Sequence, residues 1–297
     1  MTLEQLRIFL AVVERQHITR AAEGLHMTQS AVSAAVSALE SRHGVTLFDR
    51  VGRSIVLNEA GRTFLPEAQA VLDRAKAAQG ALDDLSRLLR GRLSVMASQT
   101  VADYWLPRRL VAYRQMHPHI ELDMAFSNTD HVADGVESGL AELGLVEGQV
   151  NRPALSVDLL DQDEMIVVVG AGHARVVPGV AQAAGYGGTA WVLREAGSGT
   201  RAAFDGMIAR AGINAAALDI AMVLPGNEAV LGVVEAGLGA TLVSRAVARA
   251  RVVAGLLTVV DLPIVRRSFY LLRHKERYRT KAAEAFLAPV GSAQANG

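Results

Sequence analysis

ITRAAEGLHMTQSAVSAAVSALE, residues 18–40, reads as two short helices joined by a tight turn. Thr19 is the expected N-cap of the first helix and Thr28 of the second, because a hydroxyl there accepts from an orphan backbone N–H. Ala21, Ala22 and Leu25 give the first helix a small inner face. Val32, Val36 and Leu39 fall at i, i+4 and i+7 and form the apolar stripe of the second. The opposite face carries Gln29, Ser30, Ser33, Ala34 and Ser37. It is short, uncharged and hydrogen-bonding, where an ordinary solvated face would carry Lys and Glu. Such a face suits a DNA major groove, since Gln pairs bidentately with adenine and Ser donates or accepts at any base. A helical hairpin packed in a core, with a Ser-rich surface, is the competing reading, and the surroundings decide between them.

Upstream, Thr2 and Gln5 have the spacing of a capping box, and Leu3, Leu6, Phe9, Leu10 and Val13 continue as a helical stripe that would brace the hairpin. Downstream, Gly44 is placed to end the second helix, and Leu47 and Phe48 to anchor the chain in a small core. VGRSIVLN at 51–58 reads as a short hairpin, a wing beside the paired helices. Arg50 and Arg53 flank it and are the expected phosphate contacts; for Arg50, pairing with Glu40 or Asp49 competes. His26, in the inter-helix turn, is read as packing or phosphate contact.

Composition gives DNA binding no help. The 297 residues carry 30 Lys+Arg against 30 Asp+Glu, and half of them (51%) are hydrophobic, enough for more than one core. Phosphate binding must then come from a few well-placed Arg and helix N-termini. With no cysteine, disulfides, thiol catalysis and Cys-based metal sites are excluded. The opening MTLEQLRIFLAVVERQ lacks the basic start and cleavage site of a signal peptide, and no apolar run reaches the ~20 residues of a membrane span. The expectation is a soluble cytoplasmic protein with no membrane partner.

From Glu59 to Arg90 apolar residues recur every three to four positions: Phe64/Leu65, Ala68, Val71/Leu72, Ala75, Ala78, Leu82, Leu85 and Leu89. That is a long amphipathic helix with a narrow seam, more than the first 60 residues can cover, and its natural partner is the same helix of a second chain. From Gly91 short Val/Leu/Ile-rich strands alternate with helices, which argues an α/β domain with largely parallel sheets.

The sequences LxxFLAVVE at 6–14, TRAAEGLHMTQSAVSAAVSALE at 19–40, LFDR at 47–50 and LNEAG at 57–61 resemble the LysR-type transcriptional regulators, and the resemblance covers essentially the whole chain. One departure is that Ala34, Ala35, Ser37 and Ala38 stand where the family commonly has Arg or Lys. The resemblance implies a winged helix-turn-helix at 1–58, a linker and dimerisation helix at 59–90, and a two-lobed periplasmic-binding-protein-like α/β effector domain at 91–297. Lobe I would hold about 91–161 and 265–290, and lobe II about 162–264. It further implies promoter DNA with a pseudo-palindromic site, half-sites about 10 bp or a multiple apart. Self-association as a homodimer and on to a homotetramer is implied too, with RNA polymerase as a further partner. ASQTVADYWLP, NTDHVADGVESGLAELGLVEG and REAGSGTR look like a branch of the family associated with sulfur, one-carbon and carbon-fixation metabolism.

Ligands of α/β folds bind at the C-terminal ends of strands, against helix N-termini. Those junctions hold Ser98, Gln99 and Thr100; Ser127, Asn128 and Thr129; Gly197, Ser198, Gly199, Thr200 and Arg201; and Gly226, Asn227 and Glu228. Together they would form a nest of hydroxyls, amides and backbone N–H groups for a small anionic effector, with Ser98, Thr100, Ser127 and Thr200 the strongest members. Plain helix capping is the competing role for each, and Arg201 could pair with Asp205 instead of a ligand. GAGH at 170–173 lacks the third glycine of a dinucleotide fingerprint, and AGSGT at 196–200 is not a nucleophile elbow. His117 and His119 flank Pro118 with no third metal ligand in view. The reading is therefore a regulator without cofactor, metal or catalytic residues. Two readings compete with it. One is an α/β binding protein or enzyme with a helical appendage, and the other is a structural dimerisation protein.

Overall fold

The computed structural model describes residues 1–51, 54–85, 91–172 and 188–292. The chain divides into two compact units near residue 86.

The first unit opens with helix α1 (Leu3–Arg15). The Thr2 hydroxyl accepts from Gln5 N–H at 3.2 Å, and Gln5 Oε1 accepts from Thr2 N–H at 3.0 Å, the reciprocal capping box. Helix α2 (Ile18–Gly24) begins two residues earlier than expected, so Thr19 is not its cap. The cause is the preceding link. Gln16 takes a left-handed φ of 50° and His17 is extended, and these two residues already turn the chain. Thr28 does cap helix α3 (Gln29–His43), accepting from Ala31 N–H at 3.2 Å, and Gly44 ends it at φ 64°. The two helices pack through Ala21, Ala22, Val32, Val36 and Leu39, all buried. Phe9 of α1 meets Phe48 and Phe64 with ring centroids 5.3 and 5.1 Å away. Strands β1 (Phe48–Val51) and β2 (Ser54–Leu57) pair antiparallel as the wing, and Ile55 N–H donates to Gln16 O at 3.1 Å, tying the wing to the end of α1.

Helix α4 (Glu59–Leu85) is capped by Asn58, whose Oδ1 accepts from Gly61 N–H and whose Nδ2 donates to Thr46 O, each at 2.9 Å. Its seam splits in use. Ala68 and Leu72 are buried in this unit, while Val71 and Leu82 stand 40% and 62% exposed. Leu89 lies outside the described residues.

Among the described residues, the second unit is built on one nine-stranded sheet. Its strands are β3 (Gly91–Ser98), β4 (Ile120–Ser127), β5 (Leu143–Glu147), β6 (Leu155–Gly170), β7 (Ala190–Arg194), β8 (Asp219–Leu224), β9 (Ala240–Ser244), β10 (Leu257–Val259) and β11 (Val265–His274). They lie in the order β4-β3-β5-β11-β6-β9-β7-β8, with β10 also on β6. The expected largely parallel sheet is corrected. Four pairings are parallel, and the four made by β6 and β11 are antiparallel. The reason is that β6 and β11 carry the chain from one half of the sheet to the other and back, side by side.

Both faces of each half are covered, as parallel βαβ segments require. In the first half α5 (Pro107–Met116) and α10 (Lys281–Ser292) share one face with a π-helical turn (Val101–Trp105), and α6 (Thr129–Ser138) takes the other. In the second half α7 (Gly199–Arg210) covers one face, while α8 (Asn227–Glu235) and α9 (Arg245–Val253) cover the other. Alternation along β6 serves both faces, with Met165, Val167 and Val169 on one side and Ile166 and Val168 on the other. No helix among the described residues is long and apolar enough to cross a membrane.

Candidate functional site

Two surfaces carry the side chains singled out by the sequence. On α3, Thr28, Gln29, Ser30, Ala34 and Ser37 are exposed and Ser33 is half-buried. The Thr28 and Ser30 hydroxyls lie 3.0 Å apart. Capped at both ends and packed through Val32, Val36 and Leu39, the helix presents this face in one orientation. Arg50 is exposed on β1 and makes no ion pair among the described residues. Its competitor for pairing, Glu40, is engaged elsewhere and accepts from Leu47 N–H at 2.7 Å. Arg53 lies outside the described residues. His26 is exposed at φ 55°, holding the turn before α3.

In the second unit the strand ends meet. Ser98 on β3 is in register with Ser127 on β4. Gln99 bridges the two halves of the sheet, its Nε2 donating to Pro225 O at 2.9 Å and its Oε1 accepting from Asn227 N–H at 3.4 Å. Asn227 Nδ2 donates to Thr100 Oγ1 at 3.1 Å. Asn128 caps α6 by accepting from His131 N–H at 3.0 Å, and its Nδ2 reaches Glu195 at 3.4 Å. Thr129 donates to Glu147 O at 3.0 Å. Ser198 caps α7, accepting from Thr200 N–H at 3.2 Å. Ser98, Thr100, Thr129, Ser198, Thr200 and Asn227 are all buried. Arg201 pairs with Asp205 at 2.9 Å and donates through Nη1 to Arg194 O at 3.4 Å.

The two halves approach each other closely at Gly199. A Cβ there would stand 2.1 Å from Glu147 O, so only glycine lets the α7 N-terminus lie against the end of β5.

Beneath these groups runs a buried ionic layer that sequence reading missed. Arg267 on β11 donates to Asp163 through Nε at 2.9 Å, with Nη2 2.8 Å from the same carboxylate, and its Nη1 donates to Thr200 Oγ1 at 3.0 Å. Nη2 is ion-paired but too poorly angled to hydrogen-bond. Arg194, ending β7, holds Glu195 through two bonds of 2.7 and 2.9 Å and Asn227 Oδ1 through a third of 2.7 Å. Glu147, ending β5, accepts from Ser98 Oγ and lies 3.6 Å from Arg267 Nη1. Burial raises the Glu147 carboxyl above its ordinary range, against the opposing pull of Arg267, Thr100 and Arg194. Glu195 shifts the other way. Burial would raise it, but Arg194 and Asn128 outweigh burial and hold it low. At the mouth, Tyr104 donates to Glu228 at 2.8 Å; burial and that carboxylate push the phenol up to about 12.

A signal for this layer was present in the sequence. Glu147 and Arg194 end strands that are otherwise apolar, and Arg267 shares the buried side of β11 with Phe269 and Leu271 at two-residue spacing. The described residues contain no group of three metal-ligating side chains; His117 stacks on Tyr113 at 4.8 Å.

Residues 3–62 match the family model of the bacterial regulatory helix-turn-helix protein, lysR family, and residues 86–294 match that of the LysR substrate binding domain. The HTH-type transcriptional regulator YeiE of Escherichia coli (strain K12) is 32% identical over 289 residues, covering 97% of this chain and 96% of that protein. The crystal structure of full-length CbnR complexed with its target DNA is similar with a TM-score of 0.73 at 23% identity, covering 99% of this chain and 100% of that one. The regulatory domain of Synechocystis PCC6803 CcmR, solved in complex with 2-PG, is similar with a TM-score of 0.61 at 21% identity. That likeness covers 70% of this chain and 99% of the domain.

Proposed function

This chain belongs to the LysR family of bacterial transcriptional regulators, and from that premise we propose which residues read DNA and what the cleft binds. It is a DNA-binding regulator with an effector-binding domain, and the reading of an enzyme with a helical appendage falls.

Gln29, Ser30, Ser33, Ala34 and Ser37 face base edges, Thr28 fixes the helix start at the backbone, and Arg50 and Arg53 hold phosphates. The observation that carries this is the exposed, uncharged, hydrogen-bonding face of a helix capped at both ends. Two such readers come from a homodimer joined through the exposed part of the α4 seam, where Val71 and Leu82 are uncovered, and two dimers form the tetramer. Regulation through RNA polymerase at the bound promoter belongs to the same proposal.

The cleft between the strand ends takes a small oxyanion. Support comes from the hydroxyls of Ser98, Thr100 and Thr200 and from three helix N-termini brought together there. CcmR, whose domain has this fold, was solved with 2-PG. Binding there changes the approach of the two halves, and with it the placement of the DNA readers.

The test is a mobility shift of the purified protein on DNA upstream of its own gene and of its divergent neighbour, across a salt series. Specific binding is expected, with log affinity falling by ~0.9 per phosphate neutralised for each unit of log salt. Ser33→Glu puts a charge against the groove and should abolish it. Binding unchanged by Ser33→Glu overturns the assignment of this face.

A further inference from the structure

We propose that Glu147 makes anion binding in the cleft proton-coupled: an oxyanion settles among Ser98, Thr100 and Thr200 together with one proton, which the Glu147 carboxylate takes up from solvent. This inference rests on the reading of the cleft as an anion site.

The donors such an anion needs are already occupied by a carboxyl group of the chain. Ser98 Oγ donates to Glu147, and Arg267 Nη1 lies 3.6 Å from Oε1. Across the cleft, a Cβ on Gly199 would stand 2.5 Å from Glu147 Cγ, so the side chain lies directly against the α7 N-terminus. Glu147 is 1% exposed, so bulk solvent does not screen it.

The charged groups facing it come from three strands: Arg267 on β11, Asp163 on β6, and Arg194 with its neighbour Glu195 at the end of β7. Each cation is already committed. Arg194 holds Glu195 through two bonds, and Arg267 holds Asp163 through Nε and Nη2. Arg201, the remaining cation of the sequence motif, is spent on Asp205. Glu147 is therefore the surplus negative charge of the cleft floor. Burial already tilts it toward the neutral acid. An anion placed against an ionised Glu147 would repeat the situation of two carboxylates sharing one site, in which one of the pair takes a proton. The balance is simple: one anion and one proton enter, one O–H bond forms on Glu147, no bond of the protein breaks, and the proton offsets one unit of the anion's charge, all of it for a monoanion and half of it for sulfate. The neutral acid is then also a donor to the ligand, a role an ionised carboxylate cannot fill.

The consequence is a pH-dependent affinity. For an anion that does not itself titrate, affinity falls by up to tenfold per pH unit above the pKa of the empty site.

Sulfate is the probe, because it keeps its charge across the range. Its binding to the full-length protein is measured by isothermal titration calorimetry between about pH 5 and about pH 8, in buffers of contrasting ionisation enthalpy, for wild type and Glu147→Gln. Gln keeps the shape and cannot titrate, and the proton count on wild type needs no variant at all. The expected result is uptake approaching one proton and weakening binding with rising pH in wild type, with neither in Glu147→Gln. Sulfate binding only to Glu147→Gln also supports the proposal. Binding to wild type without uptake or pH dependence overturns it and leaves the anion reading standing, as does uptake that persists in Glu147→Gln. No binding to either protein at any pH overturns the anion reading itself.

Discussion

Replacing Gly199 with alanine tests whether the two halves of the effector unit meet as described. In the first turn of a helix, Gly→Ala ordinarily stabilises by roughly 0.5–1 kcal/mol, because the unfolded chain loses freedom. Here the added methyl would stand 2.1 Å from Glu147 O, 2.5 Å from Glu147 Cγ and 2.8 Å from Glu147 C. Two of those atoms are backbone, in a strand paired on both sides with β3 and β11, and the carbonyl also accepts from Thr129. The two backbone atoms cannot rotate aside. Relief requires α7 to retreat, which stretches the bond between its Thr200 and Arg267. Overpacking of this kind costs about 1–3 kcal/mol, and each weakened hydrogen bond adds about 1. The net loss is about 2–3 kcal/mol. At roughly 2–4 °C per kcal/mol, the unfolding transition of this unit should fall by about 4–12 °C. Differential scanning calorimetry on the full-length protein reads it, with Gly232→Ala as the matched control. Gly232 lies in α8 and a Cβ there meets nothing within 4 Å, so its alanine should raise the transition slightly. If Gly199→Ala behaved like Gly232→Ala, the close approach of α7 to β5 would be refuted.

Arg267→Met leaves Asp163 and Glu147 buried without their shared cation and should cost about 3–5 kcal/mol in urea unfolding, most of it recovered by adding Asp163→Leu, whereas an additive pair would refute the coupling. Thr28→Ala removes the cap of α3 and should destabilise the DNA-binding unit by ~1 kcal/mol, read as a lower urea midpoint, with Thr19→Ala near neutral because Thr19 caps nothing. Leu39→Ala, 2% exposed, should cost about 2–5 kcal/mol and abolish the mobility shift without moving the transition of the effector unit. For Glu147, whose folded carboxyl sits above its ordinary value of 4.5, the neutral acid is the form that favours folding. Its contribution is complete below about pH 4.5 and is lost as pH rises through the folded value. The stability of Glu147→Gln relative to wild type should therefore grow with pH above that point, and a flat difference would show that burial does not govern this group.

The DNA-binding unit was legible because its information is local. The stripe Val32, Val36, Leu39 and the caps at Thr2, Thr28 and Gly44 follow from neighbours within a few residues and lie where the pattern places them, whereas the wing begins at Phe48, three residues ahead of the expected 51–58, because the core residue Phe48 also opens its first strand. Thr19 failed because the link before α2 turns in two residues, a property of Gln16 and His17 that no cap rule registers. In the effector unit the apolar strand cores were readable, but the first half of β6 was not. LSVDLLD mixes exposed Val157 and Leu159 with acids, so it lacks the run or the alternation that marks a strand. The strand-end polar residues were found by a general rule about α/β folds, and the structure draws Ser98, Thr100, Asn128, Thr200 and Asn227 into one bonded group. The pairing of Asp163 with Arg267 beneath them was hidden by distance along the chain. Asp163 and Arg267 are 104 residues apart, and only the register of β6 on β11 makes them neighbours.

That register also makes lobe II separable. The chain leaves the first half of the sheet along β6 and comes back along β11, and Gln162 faces Ser268 while Asp163 faces Arg267. Everything between is an insert whose two ends sit on adjacent strands, where the Asp163–Arg267 ion pair joins them. A lobe from a relative could be spliced in at that clasp without altering the helices around the remainder, provided it brought the aspartate and the arginine with it. New ligand specificities could then arise by exchange of one cassette, with the DNA reader untouched.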